Sequence, residues 1–304
     1  MGTDLESKFT GALIGSAVGD ALGAPVEGYS SERVSSMYEG EWELKSGRYT
    51  DDTEMMIGVA ESLIENRGFN GMDMALKFIT NYDMRRGYGP GSKEVLRRIS
   101  AGESWTEASK KLFGGAGSYG NGAAMRIAPV GLFYHDNAAV LREIAYKSSQ
   151  ITHSHLLGKE GAAIQAYSVA LAVQGVKEGM LSRLKEFVSV AAYKGKLLKL
   201  EQLLDMDPTK EAIIRELGHD VTAFNSVFSA IYSFSRFDNF KDAVIYAVSL
   251  GGDTDTIGAM TGAICGAFYG EGGIPSAWVE KLEEGEKGRS YIKNLGKMLY
   301  RLKY

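Results

Sequence analysis

The chain has 304 residues, among them 38 glycines, 5 prolines and one cysteine, Cys265. A hydrophobic fraction of 44% with 24% charged residues excludes a disordered chain, and no Gly-X-Y period admits a collagen. The lone cysteine excludes a disulfide scaffold and a cysteine metal cluster, and a net charge of −4 without a basic block argues against a nucleic-acid surface.

At the start of the chain, Asp4 and Glu6 stand where a secretory leader carries cations, and Glu6 takes the hydroxyl position of a myristoylation signal. Phe9–Gly19 is apolar but stops at Asp20, and Ile257–Gly270 is shorter than the roughly 20 residues of a spanning helix. Both predict buried core helices, with no membrane partner and a cytoplasmic location. Ala75, Phe78, Ile79 and Tyr82 fall on one helix face, as do Phe224, Val227, Phe228 and Ile231. Ser104-x-x-Glu107 matches a capping box. Asp207-Pro208 matches an N-cap followed by the first helical residue, with Gly218 ending that helix. Lys293, Lys297, Arg301 and Lys303 predict the solvated face of a last helix. No linker or run of alternating strands interrupts this pattern. The expected fold is all-α: one multi-helix domain over 1–304 with short glycine-rich loops, acting as a monomer.

Two glycine stripes stand out. Gly11, Gly15, Gly19 and Gly23 recur every four residues, and so do Gly258, Gly262, Gly266 and Gly270. Residues four apart share a helix face. Each interior glycine costs a helix roughly 0.8–1 kcal/mol relative to alanine, so the stripes need an offsetting gain. Close backbone approach supplies one: the two helices are expected to cross each other, or another central helix, near the middle of the fold.

Thr50-Asp51-Asp52-Thr53 and Gly251-Gly252-Asp253-Thr254-Asp255-Thr256 each open a predicted helix. Helix capping and the helix dipole account for either one alone. Together, Asp51, Asp52, Asp253 and Asp255 bring four carboxylates, with hydroxyls from Thr50 and Thr256. That set suits Mg²⁺, Mn²⁺ or Ca²⁺ and not zinc, and four such charges repel without a cation. Two divalent ions can share bridging carboxylates.

Two loops are rich in glycine. Arg86-Gly87-Tyr88-Gly89-Pro90-Gly91-Ser92 leads into a helix predicted over Lys93–Ser100, whose first N–H groups can hold a phosphate. Neither a Walker A loop nor a dinucleotide fingerprint is present. Phe113-Gly114-Gly115-Ala116-Gly117-Ser118-Tyr119-Gly120-Asn121-Gly122 combines backbone open to phosphate with two aromatic faces for a planar base. Arg126, inside the apolar run Ala123–Leu132, is expected in a structural ion pair. His153, in Thr152-His153-Ser154-His155, is either a structural histidine or a hydrogen-bond partner of a substrate.

In chain order, Gly19-Asp20-Ala21-Leu22-Gly23, Tyr49-Thr50-Asp51-Asp52-Thr53, Gly120-Asn121-Gly122-Ala123-Ala124-Met125-Arg126, Thr152-His153 and Gly251-Gly252-Asp253-Thr254-Asp255-Thr256 resemble the ADP-ribosylglycohydrolase family. The likeness runs from about residue 8 to 275. It is strongest to the subgroup that removes serine-linked ADP-ribose and degrades poly(ADP-ribose), whose spacing Glu27 shares and whose loops the two glycine segments resemble. The Glu27–Thr50 segment is short where relatives carry a longer flap.

The resemblance implies an orthogonal bundle around two Mg²⁺ or Mn²⁺ ions. It places them on Thr50, Asp51, Asp52, Asp253, Asp255 and Thr256, with Glu27, Asp52 and Asp255 catalytic and Glu27 movable. It puts the diphosphate at Gly87, Gly89, Gly91 and Ser118, and adenine between Phe113 and Tyr119. Ser92, Gly117, Gly120, Asn121, Gly122 and His153 complete the ADP-ribose contacts. The implied activity is hydrolysis of an O-linked acceptor from the distal ribose. Arginine-linked ADP-ribose, O-acetyl-ADP-ribose or a small ADP-ribosyl metabolite are alternative substrates. A non-catalytic ADP-ribose-binding or crystallin-like protein and a Mg²⁺-dependent phosphohydrolase are alternatives of other classes.

Overall fold

A computed structural model describes residues 4–38 and 40–304. Among these, the chain is all-α, and β pairing is confined to two isolated bridges, Ser30 with Gly251 and Gly120 with Thr222. The helices are α1 Leu5–Gly23, α2 Ser31–Tyr38, α3 Asp51–Asn66, α4 Gly71–Asn81, α5 Pro90–Ser100, α6 Ala128–Phe133, α7 Ala138–Gln150 and α8 Leu156–Val173. They continue as α9 Met180–Phe187, α10 Ala191–Asp205, α11 Lys210–Leu217, α12 Ala223–Arg236, α13 Phe240–Ser249, α14 Thr254–Tyr269, α15 Ser276–Lys281 and α16 Arg289–Lys303.

The two glycine stripes meet each other. A Cβ on Gly11 would lie 2.5 Å from the Gly266 carbonyl oxygen, and one on Gly15 or Gly19 would press into the carbonyl of Gly262 or Gly258. Gly23 faces Thr254 in the same register, so α1 and α14 run antiparallel with backbone against backbone. Such contact leaves no room for any side chain, and it brings carbonyl oxygens against Cα–H groups along the whole seam. α1 is long and apolar enough to cross a membrane, with a mean hydropathy of 1.2, but 89% of that window is buried inside the protein. α8, α12, α13 and α16 pack around the central pair, with Phe9, Leu13, Ile14, Phe228, Ile231 and Phe234 fully buried among them.

Three local expectations change in the fold. The helix after Asp207-Pro208 starts later: Thr209 is the N-cap and accepts from the Ala212 N–H at 3.3 Å, while Gly218 closes the helix as expected. Ser104 and Glu107 shape a turn, not an α-helix start. The Ser104 carbonyl accepts from the N–H groups of Glu107 and Ala108, and a 3₁₀ segment follows over Ala108–Gly115. The last helix has its basic stripe, but Lys293 and Lys303 are tied to Glu271 and Asp136 at 2.5 and 2.7 Å.

Candidate active site

The antiparallel seam decides what lies at its end. Past Gly23 the chain makes one 3₁₀ turn over Ala24–Val26 and reaches Glu27. Opposite, the chain enters α14 through Gly251, Gly252 and Asp253. Gly28 N–H donates to the Gly252 carbonyl at 2.7 Å, Gly252 N–H donates to the Tyr29 carbonyl at 2.9 Å, and Thr254 Oγ1 donates to the Gly23 carbonyl at 2.9 Å. Gly251 and Gly252 have φ of 75° and 72°, and a Cβ on either would strike the backbone of Tyr29–Ser31 or of His219. These links set Glu27, Asp253 and Asp255 side by side, each offering an oxygen within 4.8 Å of the others.

The third wall is the start of α3, and Asp20 holds it. The buried Asp20 carboxylate accepts from Thr50 N–H at 3.0 Å, Thr53 N–H at 3.1 Å and Thr53 Oγ1 at 2.6 Å. Thr50 caps α3, its hydroxyl accepting from Asp52 N–H at 3.3 Å. Asp51 and Asp52 thus enter the cleft from the positive end of one helix, and Asp255 and Thr256 from that of another.

The cleft, with a volume of about 290 Å³, is lined by Glu27, Thr50, Asp51, Asp52, Asp253, Asp255 and Thr256. Burial pushes the Asp51 carboxyl up to about 8, with Asp20 adding to the effect. Asp52 and Asp255 lie well above the ordinary carboxylate range, first by burial and then by the charges of Asp255 and Asp253 respectively. Glu27 is raised by desolvation and by Asp253. One oxygen, Asp52 Oδ2, is buried with no hydrogen-bond donor among the described residues. An orphaned carboxylate oxygen in a crowd of raised carboxylates is the electrostatic form of a hard-cation site, and this donor set fits Mg²⁺ or Mn²⁺.

The glycine loops complete the wall of the cleft. Gly87, Gly89, Gly91 and Ser92 line the cleft with Phe113, Ser118, Gly120, Asn121, Gly122 and His153. Gly89 precedes α5 without a side-chain cap, so the first-turn N–H groups are not engaged by it. The loop is pinned from behind. Tyr88 Oη donates to Glu54 at 2.7 Å, and Arg86 donates to the Tyr49 carbonyl at 2.8 Å and pairs with Glu283. Asn121 Nδ2 bonds Asp253 and Ser226, linking the second loop to the carboxylates. Phe113 is 67% exposed with φ of 51°, a left-handed conformation uncommon for a non-glycine residue.

Gly117 and Tyr119 stand apart from the cleft wall. A Cβ on Gly117 would strike Ser154 and His155, which makes its glycine a packing requirement. The Tyr119 ring sits edge-on to His155 at 5.5 Å. His153 is buried, its Nδ1 2.7 Å from Thr152 Oγ1, and burial together with Arg126 lowers its pKa to about 3. Arg126 does not form the expected ion pair. It is wholly buried, 4.6 Å over the Phe78 ring, and donates to the Ser148 carbonyl at 3.3 Å, because its surroundings are apolar and no carboxylate among the described residues reaches it. Desolvation lowers its pKa to about 9.

Sequence reading passed over Asp20 as a site residue, although a lone carboxylate inside a glycine-striped apolar helix is a signal for a buried anchor. It also passed over Val221, whose carbonyl accepts from Asn121 N–H at 2.9 Å. No local pattern marks Val221, because only the Gly120–Thr222 bridge brings it to the cleft.

Comparison with known proteins gives a consistent picture. The family profile described as ADP-ribosylglycohydrolase matches residues 1–304. ADP-ribosylhydrolase ARH3 of Mus musculus is 34% identical over 91% of this chain and 88% of its own length. The ADP-ribosyl-[dinitrogen reductase] glycohydrolase of Rhodospirillum rubrum is 29% identical over 93% of this chain and 92% of its own. A solved structure, an ADP-ribosylglycohydrolase-related protein complex, superposes with a TM-score of 0.78 at 29% identity, covering 99% of both chains. With the whole chain matched and the acidic cleft at the end of the glycine seam, this protein belongs to the ADP-ribosylglycohydrolase family and is a glycohydrolase.

Proposed function

We propose that the enzyme hydrolyses the bond between the distal ribose of ADP-ribose and an O-linked acceptor such as serine or a further ADP-ribose unit. The observation that carries this reading is the composition of one cleft. Carboxylates, glycine backbone and an exposed aromatic line the same cleft. A ligand that joins a sugar to a diphosphate and a base fits that combination.

Thr50, Asp51, Asp52, Asp253, Asp255 and Thr256 would hold two divalent cations, which when bound supply positive charge to orient the ribose hydroxyls and to offset the carboxylates. Gly87, Gly89, Gly91, Ser92 and Ser118 receive the diphosphate, and Phe113 offers its face to adenine. Asn121 holds Asp253 in position. His153, neutral through burial, hydrogen-bonds without adding charge. Glu27, raised and close to the acidic cluster, gives its proton to the leaving acceptor oxygen as the C–O bond breaks and takes one back from the attacking water. The transition state has oxocarbenium character, as in other glycoside hydrolyses. Glu27 at the spacing of the serine-specific subgroup supports an O-linked over an arginine-linked substrate.

Mass spectrometry of products from serine- and arginine-linked ADP-ribosyl peptides, with Mg²⁺, Mn²⁺ or chelator, tests this. Free ADP-ribose and unmodified serine peptide are expected only with metal. Cleavage of the arginine linkage alone would overturn the O-linked assignment, and release of free phosphate would overturn glycosidic cleavage.

A further inference from the structure

A second cleft, of about 410 Å³, opens beside the first and shares Thr50 and Gly87 with it. Its other wall includes Ala24 and Pro25, separated from Glu27 in the chain by Val26 alone. It therefore adjoins Thr50 and Gly87, where a Gly87 Cβ would lie 3.7 Å from Asp51 Oδ1, and shares no residue of the Phe113–Gly122 loop. On the reading above, that is the side from which an acceptor would leave.

The two clefts have opposite charge. The main cleft is lined by five carboxylates: Glu27, Asp51, Asp52, Asp253 and Asp255. The side cleft is lined by Lys45, Arg48, Arg85 and Arg86 and, among the described residues, by no carboxylate. Two of these cations are already paired, Arg85 with Asp83 at 2.7 Å and Arg86 with Glu283 at 2.5 Å. Lys45 and Arg48 are exposed, and among the described residues neither has a carboxylate within 4.0 Å. Arg48 is nevertheless held in place: Nη2 donates to the Arg85 carbonyl at 3.1 Å, which leaves its other N–H groups for a ligand. Lys45 Nζ rests 5.0 Å over the Tyr38 ring.

We propose that this side cleft is an acceptor subsite that binds acidic side chains flanking the modified residue of a peptide substrate. The inference rests on the ADP-ribosyl hydrolase reading. A guanidinium fork and a neighbouring ammonium match carboxylates. The cleft does not suit a second nucleotide. Among the described residues its one aromatic, Tyr49, is only 4% exposed and is covered by the Arg86 guanidinium at 3.9 Å, so that ring offers no open face to a base. Like-charge repulsion there disfavours acceptors with basic flanks.

Steady-state kinetics on ADP-ribosylserine peptides with acidic, neutral or basic flanks test the proposal, with free ADP-ribosylserine as the flank-less control. The wild type should show a KM about 5–10-fold lower for acidic than for neutral flanks, at similar kcat, shrinking with added salt. The double variant Lys45→Glu, Arg48→Glu should lose that preference or reverse it toward basic flanks, while cleaving free ADP-ribosylserine like the wild type. Equal KM for all flanks, or a preference that survives the double variant, would overturn it. So would a double variant impaired on poly(ADP-ribose) but not on acidic peptides, which would assign the cleft to a nucleotide. If free ADP-ribosylserine and every peptide resist the wild type, the parent reading itself falls. Cleavage of the free compound without any flank effect sinks only the subsite.

Discussion

Thr254 Oγ1 donates to the Gly23 carbonyl at 2.9 Å, joining the first residue of α14 to the last residue of α1. This bond sits at the end of the glycine seam, next to the residues that form the acidic cleft. Packing of the two central helices and placement of Glu27 against Asp253 and Asp255 are therefore one structural event.

The seam should tolerate no added methyl group. Gly15→Ala or Gly262→Ala would drive a Cβ into the facing carbonyl, and overpacking of this kind costs about 1–3 kcal/mol. Gly195→Ala, in α10 with open space around the position, should instead be neutral or stabilising by up to about 1 kcal/mol. Chemical denaturation of the three variants checks the contrast. Equal stability of all three would remove the packing role of the stripe.

Asp20→Asn should weaken the site without touching a ligand. The carboxylate takes three donors from the start of α3, and an amide in its place turns a donor toward them. Loss of such a supporting contact typically lowers metal affinity or activity 10–100-fold, about what isothermal titration with Mn²⁺ should show here. Unchanged affinity would mean that α3 is positioned by other contacts.

Divalent cations should stabilise the fold. With Asp51, Asp52 and Asp255 raised by burial and mutual charge, added Mg²⁺ or Mn²⁺ is expected to raise Tm and chelator to lower it. Saturation at a hundred times Kd corresponds to about 2.7 kcal/mol. Asp255→Ala should abolish the response in a thermal-shift titration. A response of wild-type size in that variant would place the ions elsewhere.

Glu27→Ala should separate binding from turnover. Affinity for free ADP-ribose is expected to stay within about twofold, while kcat falls by about 10²–10⁴, the usual contribution of general acid–base catalysis. Retained kcat would shift proton transfer to another group.

His153 should register in the acid limb of stability. Its folded pKa is about 3, against an ordinary value near 6.5, so both states are neutral above pH 7. As pH falls below about 6.5 the unfolded chain takes a proton that the folded protein refuses. Stability is lost progressively down to about pH 3, by at most about 1.4 kcal/mol per pH unit. The stability difference between wild type and His153→Gln should be flat above pH 7 and drift in favour of the variant toward pH 5. A flat difference across the whole range would mean that His153 protonates in the native state.

Much of this was legible in the chain itself. Periodicity at Ala75–Tyr82 and Phe224–Ile231 located α4 and α12, and the spacing of glycines called for a close helix crossing. The two Asp-Thr clusters predict a hard-cation site, and the fold brings their carboxylates into one cleft. Other expectations failed where local signals competed. The Ser104 motif became a turn, and Arg126 was buried without a carboxylate because proximity in sequence to an apolar run says nothing of which charges reach it.

The opening peculiarity, 38 glycines, separates what each level of structure decides. Sequence alone determined which residues lack side chains, which carry carboxylates, and that both recur at helical spacing, because those are properties of composition and a 3.6-residue period. Only the tertiary structure decided that the stripes face each other antiparallel, that Asp20 holds α3 against them, and that Lys45 and Arg48 line a cleft beside the acidic one. Such pairings depend on contacts between residues distant in the chain, where packing geometry and burial, not local pattern, select the partner.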